Sequence, residues 1–497
     1  MADVVVIYPR TGLDKRGVTV TLPLAILSAA SGLIGEFSVT VIDQRVTDNW
    51  EEVLLKELRQ RPLCVALSSM TGTQIFYGLQ ISHFVKAFNP DIPILWGGMH
   101  ATLMGEQTLR DRDIDFIIKG EGEIAFRDFV RELAGKRKFD KVAGLGWKDT
   151  HGALRINPEG PALDLNTLPP IPYHLVDIEE YTTPSYHQYD GVRRLLPFQG
   201  SRGCPFKCTF CSEPALTKVY RMLKPELFYT QTMELVQKYN LDHITFYDEE
   251  FFVNFRWATQ VAELINGQYT WWVQSRANDL LKVDLKKMER CGMLIVAPGL
   301  ESGSDRILKE IKKGETVAEY VIANKALAQT GIIPQYNFMM GFPTETQEDV
   351  NDTVDLALKL IEDNPRAVIH SFSAFTPLPG TELLATSVRD HGFKMPDTLE
   401  GWIGIVRRRL PTPWQQAKRE LYENLMYTSM YISGQNKRVW LKMYWWAPSF
   451  LFDLYSRLVK WRWRKRKFKN TFDIKIARRQ HKSVSPIDFE ETFKPRG

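Results

Sequence analysis

Cys204, Cys208 and Cys211 lie close together in the run Gly200-Ser-Arg-Gly-Cys-Pro-Phe-Lys-Cys-Thr-Phe-Cys-Ser-Glu213, a C-x3-C-x2-C spacing that can clip a metal centre. In a cube of four irons and four sulfides, three cysteines leave one iron without a protein ligand, free to chelate a small molecule. Four-cysteine sites of electron carriers are closed, so this spacing points to chemistry. A structural zinc site is the competing reading. It wants a fourth cysteine or histidine at short spacing, and the nearest histidines are His187 and His243.

The remaining cysteines read as structural: Cys64 sits in the apolar run 63–67 and Cys291 ends a predicted helix. With only five cysteines, no disulfide framework is expected, and a reducing cytoplasm is the natural compartment. A chain of 497 residues suggests about three domains, and 44% hydrophobic with 25% charged residues is ordinary for buried cores. Met1 to Tyr8 lacks a basic leader and enters a strand at once, so no signal peptide is expected. No uninterrupted apolar stretch is long enough to span a bilayer.

The first 135 residues alternate strand and helix. Short apolar runs at 4–8, 37–42, 64–68, 92–96 and 116–118 are separated by helical patterns at 22–33, 50–58, 75–88 and 124–133, which predicts a parallel sheet covered on both faces. Ligands of such sheets sit at the carboxyl ends of the strands. Those ends are rich in small residues here: Ser68, Ser69, Thr71, Gly97, Gly98, His100, Glu121 and Gly122. Residues 136–192, with Leu168-Pro-Pro-Ile-Pro-Tyr173, read as a connection. From Arg194 the alternation restarts, with strands expected at 195–199, 243–247, 270–274, 294–299, 335–340 and 368–375. Their carboxyl ends carry Asp248, Glu249, Gln274, Arg276, Glu301 and Ser302.

At the cysteine clip, with Phe210 just before the last cysteine, the chain resembles the radical S-adenosylmethionine (SAM) superfamily. The resemblance implies a [4Fe-4S] cluster whose open iron binds the amino and carboxylate groups of SAM, and reductive cleavage of SAM to a 5'-deoxyadenosyl radical. It further implies that Asp248 or Glu249 receives the SAM amino group, Gln274 and Arg276 its carboxylate or ribose edge, and Glu301 and Ser302 the ribose. A carboxylate suits an ammonium and a guanidinium suits a carboxylate. For Asp248, Glu249 and Ser302, a helix cap or solvated strand end is the alternative.

Gly97-Gly-Met-His100 and Gly120-Glu-Gly-Glu123 resemble loops of the cobalamin-binding domain that precedes the barrel in a large subfamily. Small residues let a corrin ring approach the backbone, and hydroxyls can bond its amides. The Asp-x-His-x-x-Gly signature of a lower-face histidine ligand is absent; Asp149-Thr-His151 has Leu154 where glycine is needed and reads as a turn outside the sheet. His100 reads either as a hydrogen-bonding loop residue or as a cobalt ligand, at the corrin edge in both cases.

The expected α/β architecture is therefore a Rossmann-like cobalamin-binding domain (1–135), a linker (136–192), a partial (β/α)6 radical SAM barrel (193–400) and a C-terminal helical, aromatic and basic region (401–497). In the last, Trp440-Leu-Lys-Met-Tyr-Trp-Trp446 and a stretch from Arg457 to Lys469 without an acidic residue suggest a peripheral position on the inner face of an anionic membrane. A packed helical cap is the alternative, and RNA fits less well, so no nucleic acid is expected. The subfamily implies a C-methyltransferase acting on a lipophilic lipid or tetrapyrrole, with ring formation as in anaerobic magnesium-protoporphyrin IX monomethyl ester cyclase as the second reading. An external electron donor of flavodoxin or ferredoxin type is implied. A non-catalytic cobalamin and iron-sulfur sensor is the alternative of a different class.

Overall fold

The computed structural model describes residues 2–12, 14–17, 19–183, 192–407, 410–437, 448–469 and 471–475. It contains two parallel sheets. The first is built from β1 (Val4–Tyr8), β2 (Val39–Asp43), β3 (Cys64–Ser68), β4 (Ile94–Gly97) and β5 (Phe116–Ile118) in the order β2-β1-β3-β4-β5, extended by β6 (Leu145–Lys148) and β7 (Leu154–Ile156). Both faces of these strands are apolar because both are covered. Val5, Ile7, Val65 and Leu67 point to one core, while Val4, Val6, Cys64 and Ala66 point to the other, which accounts for the buried Cys64. The covering helices are α1 (Leu24–Ser31), α2 (Trp50–Leu58), α3 (Thr73–Phe88), α4 (Gly98–Leu103), α5 (Gly105–Leu109) and α6 (Gly122–Ala134).

β6 and β7 form an antiparallel hairpin on the β5 edge. Asp149-Thr-His151 is its turn, with the Asp149 carboxylate accepting from the His151 amide at 2.9 Å. The turn expected from the missing glycine is there, but it belongs to the sheet rather than lying outside it.

The second sheet is an open barrel of six parallel strands, the number expected from the alternation. In sequence it uses β8 (Leu195–Phe198), then β11 (His243–Phe246), β12 (Thr270–Ser275), β13 (Met293–Glu301), β14 (Ile333–Met340) and β15 (Val368–Ala374). Between β8 and β11, the two-residue strands β9 (Ser201–Arg202) and β10 (Arg221–Met222) pair as an antiparallel ribbon. This ribbon closes the base of the cysteine loop. Helices α8 (Pro225–Tyr239), α9 (Phe255–Ile265), α10 (Leu285–Arg290), α11 (Asp305–Glu310), α12 (Val317–Leu327) and α13 (Gln347–Asp363) cover the outer face, while the short α7 (Glu213–Leu216) lies in the cysteine loop against α4.

After β15, helix α14 (Glu382–Asp390) leads to α15 (Gly401–Arg407), which turns back and packs on α3 of the first sheet. Phe393, Leu399, Trp402 and Ile403 enter the first sheet's core, and Gln107 donates to the Pro396 carbonyl at 2.9 Å. The next helical stretch is interrupted at Lys418, which separates α16 (Pro413–Ala417) from α17 (Arg419–Thr428). With α18 (Ser449–Arg464), α17 covers the side of the barrel near edge strand β15. Trp440 to Trp446 lie outside the described residues.

Candidate active site

The cysteine loop is fixed from several sides. Gly203 has φ +89°, and a Cβ there would come within 2.8 Å of the Val219 carbonyl, so glycine is required where the loop leaves β9. Inside the loop, the Thr209 amide donates to the Ile311 carbonyl at 2.9 Å and its carbonyl accepts from Leu383 at 2.8 Å. The Ser212 hydroxyl donates to the Pro379 carbonyl at 2.9 Å. Phe206 lies under the Arg276 guanidinium, 3.9 Å from ring centroid to Cζ.

Burial pushes the Cys204 thiol up to about 12 and raises Cys208 and Cys211 as well; Cys204 also feels the charge of the other two, and Cys211 that of Cys208. Lys313 and Arg276 pull Cys208 the other way. Such thiols ionise only when a cationic centre joins them. Among the described residues no three His, Cys, Asp or Glu side chains converge on a point as a single metal ion requires. In a cube, each of the three thiolates would hold its own iron.

Around the loop lie the charged strand ends. Asp248 is fully buried and already committed: it accepts from the Ser201 hydroxyl at 2.5 Å and the Gly200 amide at 3.4 Å, tying β11 to the start of the loop. Glu249 differs. One oxygen accepts from Gln199 Nε2 at 3.2 Å, whereas Oε2 is buried with no hydrogen-bond partner among the described residues. Burial, with the neighbouring Glu213 carboxylate, pushes Glu249 up to about 8. Its free oxygen is an acceptor awaiting a cation.

Opposite, Arg276 has a buried, unpartnered Nε, and its Nη2 donates to the Lys313 carbonyl and faces Glu315 at 3.7 Å. Lys313 lies between Glu301 at 3.3 Å and Glu315 at 3.5 Å. Burial works against its ammonium, yet the two carboxylates outweigh it and hold the Lys313 pKa above the ordinary value. Glu301 holds φ +63°, a left-handed backbone that a non-glycine residue keeps only under constraint. Gln274 is exposed on β12 between the buried Val273 and Ser275. Ser302 does not join this group. Its hydroxyl accepts from the Ser304 amide at 3.1 Å and lies 3.3 Å from Thr353 on α13, so it faces the helical layer. Lys313 and Glu315 escaped the sequence reading because Lys312-Lys-Gly-Glu315 looks like a solvated turn.

At the first sheet, Gly98 has φ +87°, and a Cβ there would stand 2.8 Å from the Ser69 carbonyl and 2.9 Å from the Ser68 hydroxyl. The Ser69 hydroxyl donates to the Gly97 carbonyl at 3.0 Å. Met70 and Met99, on the same two strand ends, are exposed. This neutral, close-fitting edge suits a macrocycle rimmed with neutral amides.

Two residues expected at the corrin edge have partners within the protein. His100 is fully buried, its Nδ1 2.9 Å from the Thr71 hydroxyl and its ring edge-on to Trp402 of α15 at 6.0 Å. Burial lowers its pKa to about 4, so it is neutral. Glu121, at the start of the Gly122 turn, reaches across to the barrel: it pairs with Arg202 at 2.7 Å and with Arg221 at 2.7 Å, which face each other across the β9-β10 ribbon. Glu123 pairs with Arg202 at 2.5 Å. The Gly120-to-Glu123 element therefore clamps the cysteine loop. Beside it, Leu103 of α4 and Ala215 of α7 both pack at Gly380, so the carboxyl edges of the two sheets converge.

A radical SAM superfamily model matches residues 198–357, and a B12 binding domain model matches residues 15–130. An uncharacterized methyltransferase of Pyrococcus horikoshii is 30% identical over 393 residues, 77% of this chain and 82% of that protein. The chain belongs to the cobalamin-binding radical SAM family. As a cobalamin-dependent radical SAM enzyme it uses a [4Fe-4S] cluster, SAM and cobalamin. Among more distant relatives, the anaerobic magnesium-protoporphyrin IX monomethyl ester cyclase of Rubrivivax gelatinosus is 25% identical over 360 residues, 70% of this chain and 63% of that protein. The solved cobalamin-dependent SAM radical enzyme OxsB with aqua-cobalamin and SAM bound shares the fold, with TM-score 0.69 at 17% identity over 98% of this chain and 76% of that one. The radical SAM methyltransferase TsrM of Kitasatospora setae, with cobalamin and cluster bound, gives TM-score 0.62 at 18% identity, covering 80% of this chain and 76% of that one.

Proposed function

We propose that this cobalamin-dependent radical SAM enzyme is a C-methyltransferase acting on an unactivated carbon of a lipophilic substrate, a lipid or tetrapyrrole, met at a membrane surface. The observation that carries the reading is the convergence of two unlike strand-end edges, one neutral and one charged, joined by the Glu121–Arg202 clamp. The name of the relative covered over 82% of its length supports methyl transfer. When bound, the cofactors supply a hydrogen-abstracting radical and a transferable methyl group.

The residues divide the work. Cys204, Cys208 and Cys211 hold the cluster. Glu249, through its free oxygen, takes the SAM ammonium, and Arg276 its carboxylate. Glu301, fixed by Lys313, accepts from ribose hydroxyls, with Gln274 beside them. Asp248 and Ser302 brace the loops that carry these groups. Ser68, Ser69, Thr71, Gly97 and Gly98 would seat the corrin edge. The clamp keeps both edges closed over the substrate and excludes water. An external flavodoxin- or ferredoxin-type donor supplies electrons.

The test is anaerobic incubation with reductant, cobalamin, methyl-deuterated SAM and membrane extract, followed by mass spectrometry. A trideuteromethyl group in a lipid or pigment is expected. Unlabelled product that has lost hydrogen, with 5'-deoxyadenosine formed, would replace methylation by oxidative ring formation.

A further inference from the structure

Helix α18 has two apolar faces, and only one is used by the fold. Phe452, Val459 and Trp463 are buried; the Trp463 ring meets Phe372 of β15 at 5.2 Å and its indole N–H donates to the Thr428 hydroxyl at 2.9 Å. On the other side Phe450 (62% exposed), Leu451, Leu454 (63%), Leu458 and Trp461 face outward, and Phe472 (75%) stands just beyond the helix. At 3.6 residues per turn, positions 450, 454, 458 and 461 fall on one stripe, opposite 452, 459 and 463. A helix needs one such stripe to bind its own domain. Large exposed apolar patches mark interaction surfaces.

Charge identifies the partner. Of the cations between Arg457 and Lys469, Arg462, Arg464 and Arg466 turn to the protein's own Asp473, Glu362 and Asp355, at 2.5, 2.5 and 2.6 Å. Arg462 is thereby buried, and the charges of Arg464, itself exposed, and Arg466 are offset by their partners. Arg457, Lys465, Lys467 and Lys469 remain exposed beside the stripe, with Lys467 4.7 Å over the Trp461 ring. Apolar side chains with a tryptophan, flanked by lysine and arginine, match an anionic lipid interface. A second copy fits less well, because a two-fold contact would set the same cations against one another. Among the described residues no helix is long and apolar enough to cross a membrane, so α18 would lie in the surface plane.

We infer that the outer face of α18, with Phe472, docks the enzyme on anionic membranes. The inference refines the membrane partner proposed above and does not depend on the reaction catalysed. It is tested by sedimenting the holoenzyme with phosphatidylglycerol or phosphatidylcholine vesicles at low and high salt. Wild type should favour phosphatidylglycerol, and high salt should reduce that preference. The Leu454→Gln/Leu458→Gln/Trp461→Gln variant should lose more than about tenfold in binding. The Arg457→Gln/Lys465→Gln variant should lose about fivefold per cation on phosphatidylglycerol only. Both should keep cluster absorption and substrate-free SAM cleavage, which reports folding. Equal sedimentation of wild type and the apolar-face variant overturns the inference. So does a wild-type dimer in light scattering that the same substitutions dissolve, since a second copy would then cover the face.

Discussion

The carboxyl edges of the two sheets meet but are built of opposite materials. The first sheet offers Ser68, Ser69, Gly97 and Gly98, with a neutral His100 beneath them, and closeness of approach is its main device. The barrel offers Glu249, Arg276, Glu301, Lys313 and Glu315, a buried charge network with unfilled donors and acceptors. The difference matches the ligands of the family: a macrocycle with an amide rim needs fit, while a zwitterion needs fixed counter-charges. The first edge should thus be sensitive to added atoms and the second to removed charges.

The largest expected effect tests the barrel edge. Replacing Cys204, Cys208 and Cys211 together by Ala should abolish iron binding and SAM cleavage, while Cys64→Ala and Cys291→Ala keep about four irons per chain; iron analysis and cluster absorption decide. Next is Lys313→Met, which leaves Glu301 and Glu315 buried without their shared ammonium. About 3–5 kcal/mol of stability should be lost in a denaturant titration, because breaking a buried pair strands its partner. An unchanged midpoint would mean the network is not a unit.

At the first edge, adding one methyl group should matter more than removing an imidazole. Gly98→Ala should cost about 1–3 kcal/mol, since its φ is positive and the new Cβ meets the Ser69 carbonyl, and should weaken hydroxocobalamin binding. His100→Ala should leave the absorption spectrum of bound cobalamin unshifted; a shift would make His100 a cobalt ligand.

The smallest effect is a pair of opposite pH dependences. Burial raises Glu345, at the end of β14, to about 7 from 4.5, so between those values the folded state holds a proton that the unfolded state has lost, and stability falls as pH rises. Burial lowers His100 to about 4 from 6.5, so between those values the unfolded state takes up the proton first, and stability falls as pH drops. Between about pH 5 and 6.5, Glu345→Gln and His100→Gln should therefore change the slope of stability with pH in opposite directions, each by about 1–2 kcal/mol over the window. Parallel slopes would remove the contrast between the edges.

The alternation of strands and helices was legible because periodicity is a local property: β3 and β5 fall where their apolar runs predict. The cysteine clip was equally legible, since its spacing is its chemistry. Roles set by distant partners were not. Glu121 looked like part of a ligand loop because Arg202 lies 81 residues away in sequence. Ser302 and Gln274 look alike as polar strand ends, and only the barrel geometry separates the one facing α13 from the exposed one. His100 read as an edge residue because Trp402, which covers it, comes from beyond the barrel.

That late-arriving cover has a consequence for the order in which the protein is made. Trp402 donates to Gln107 across 295 residues of chain, and Phe393, Leu399 and Ile403 fill the same core. Domains emerging from a ribosome usually close in sequence, each as its last residue appears. Here the first 135 residues leave the ribosome with part of their interior still untranslated. The first of the two sheets gains part of its core only after the last barrel strand has been made, so its interior closes later than the strands that follow it in the chain.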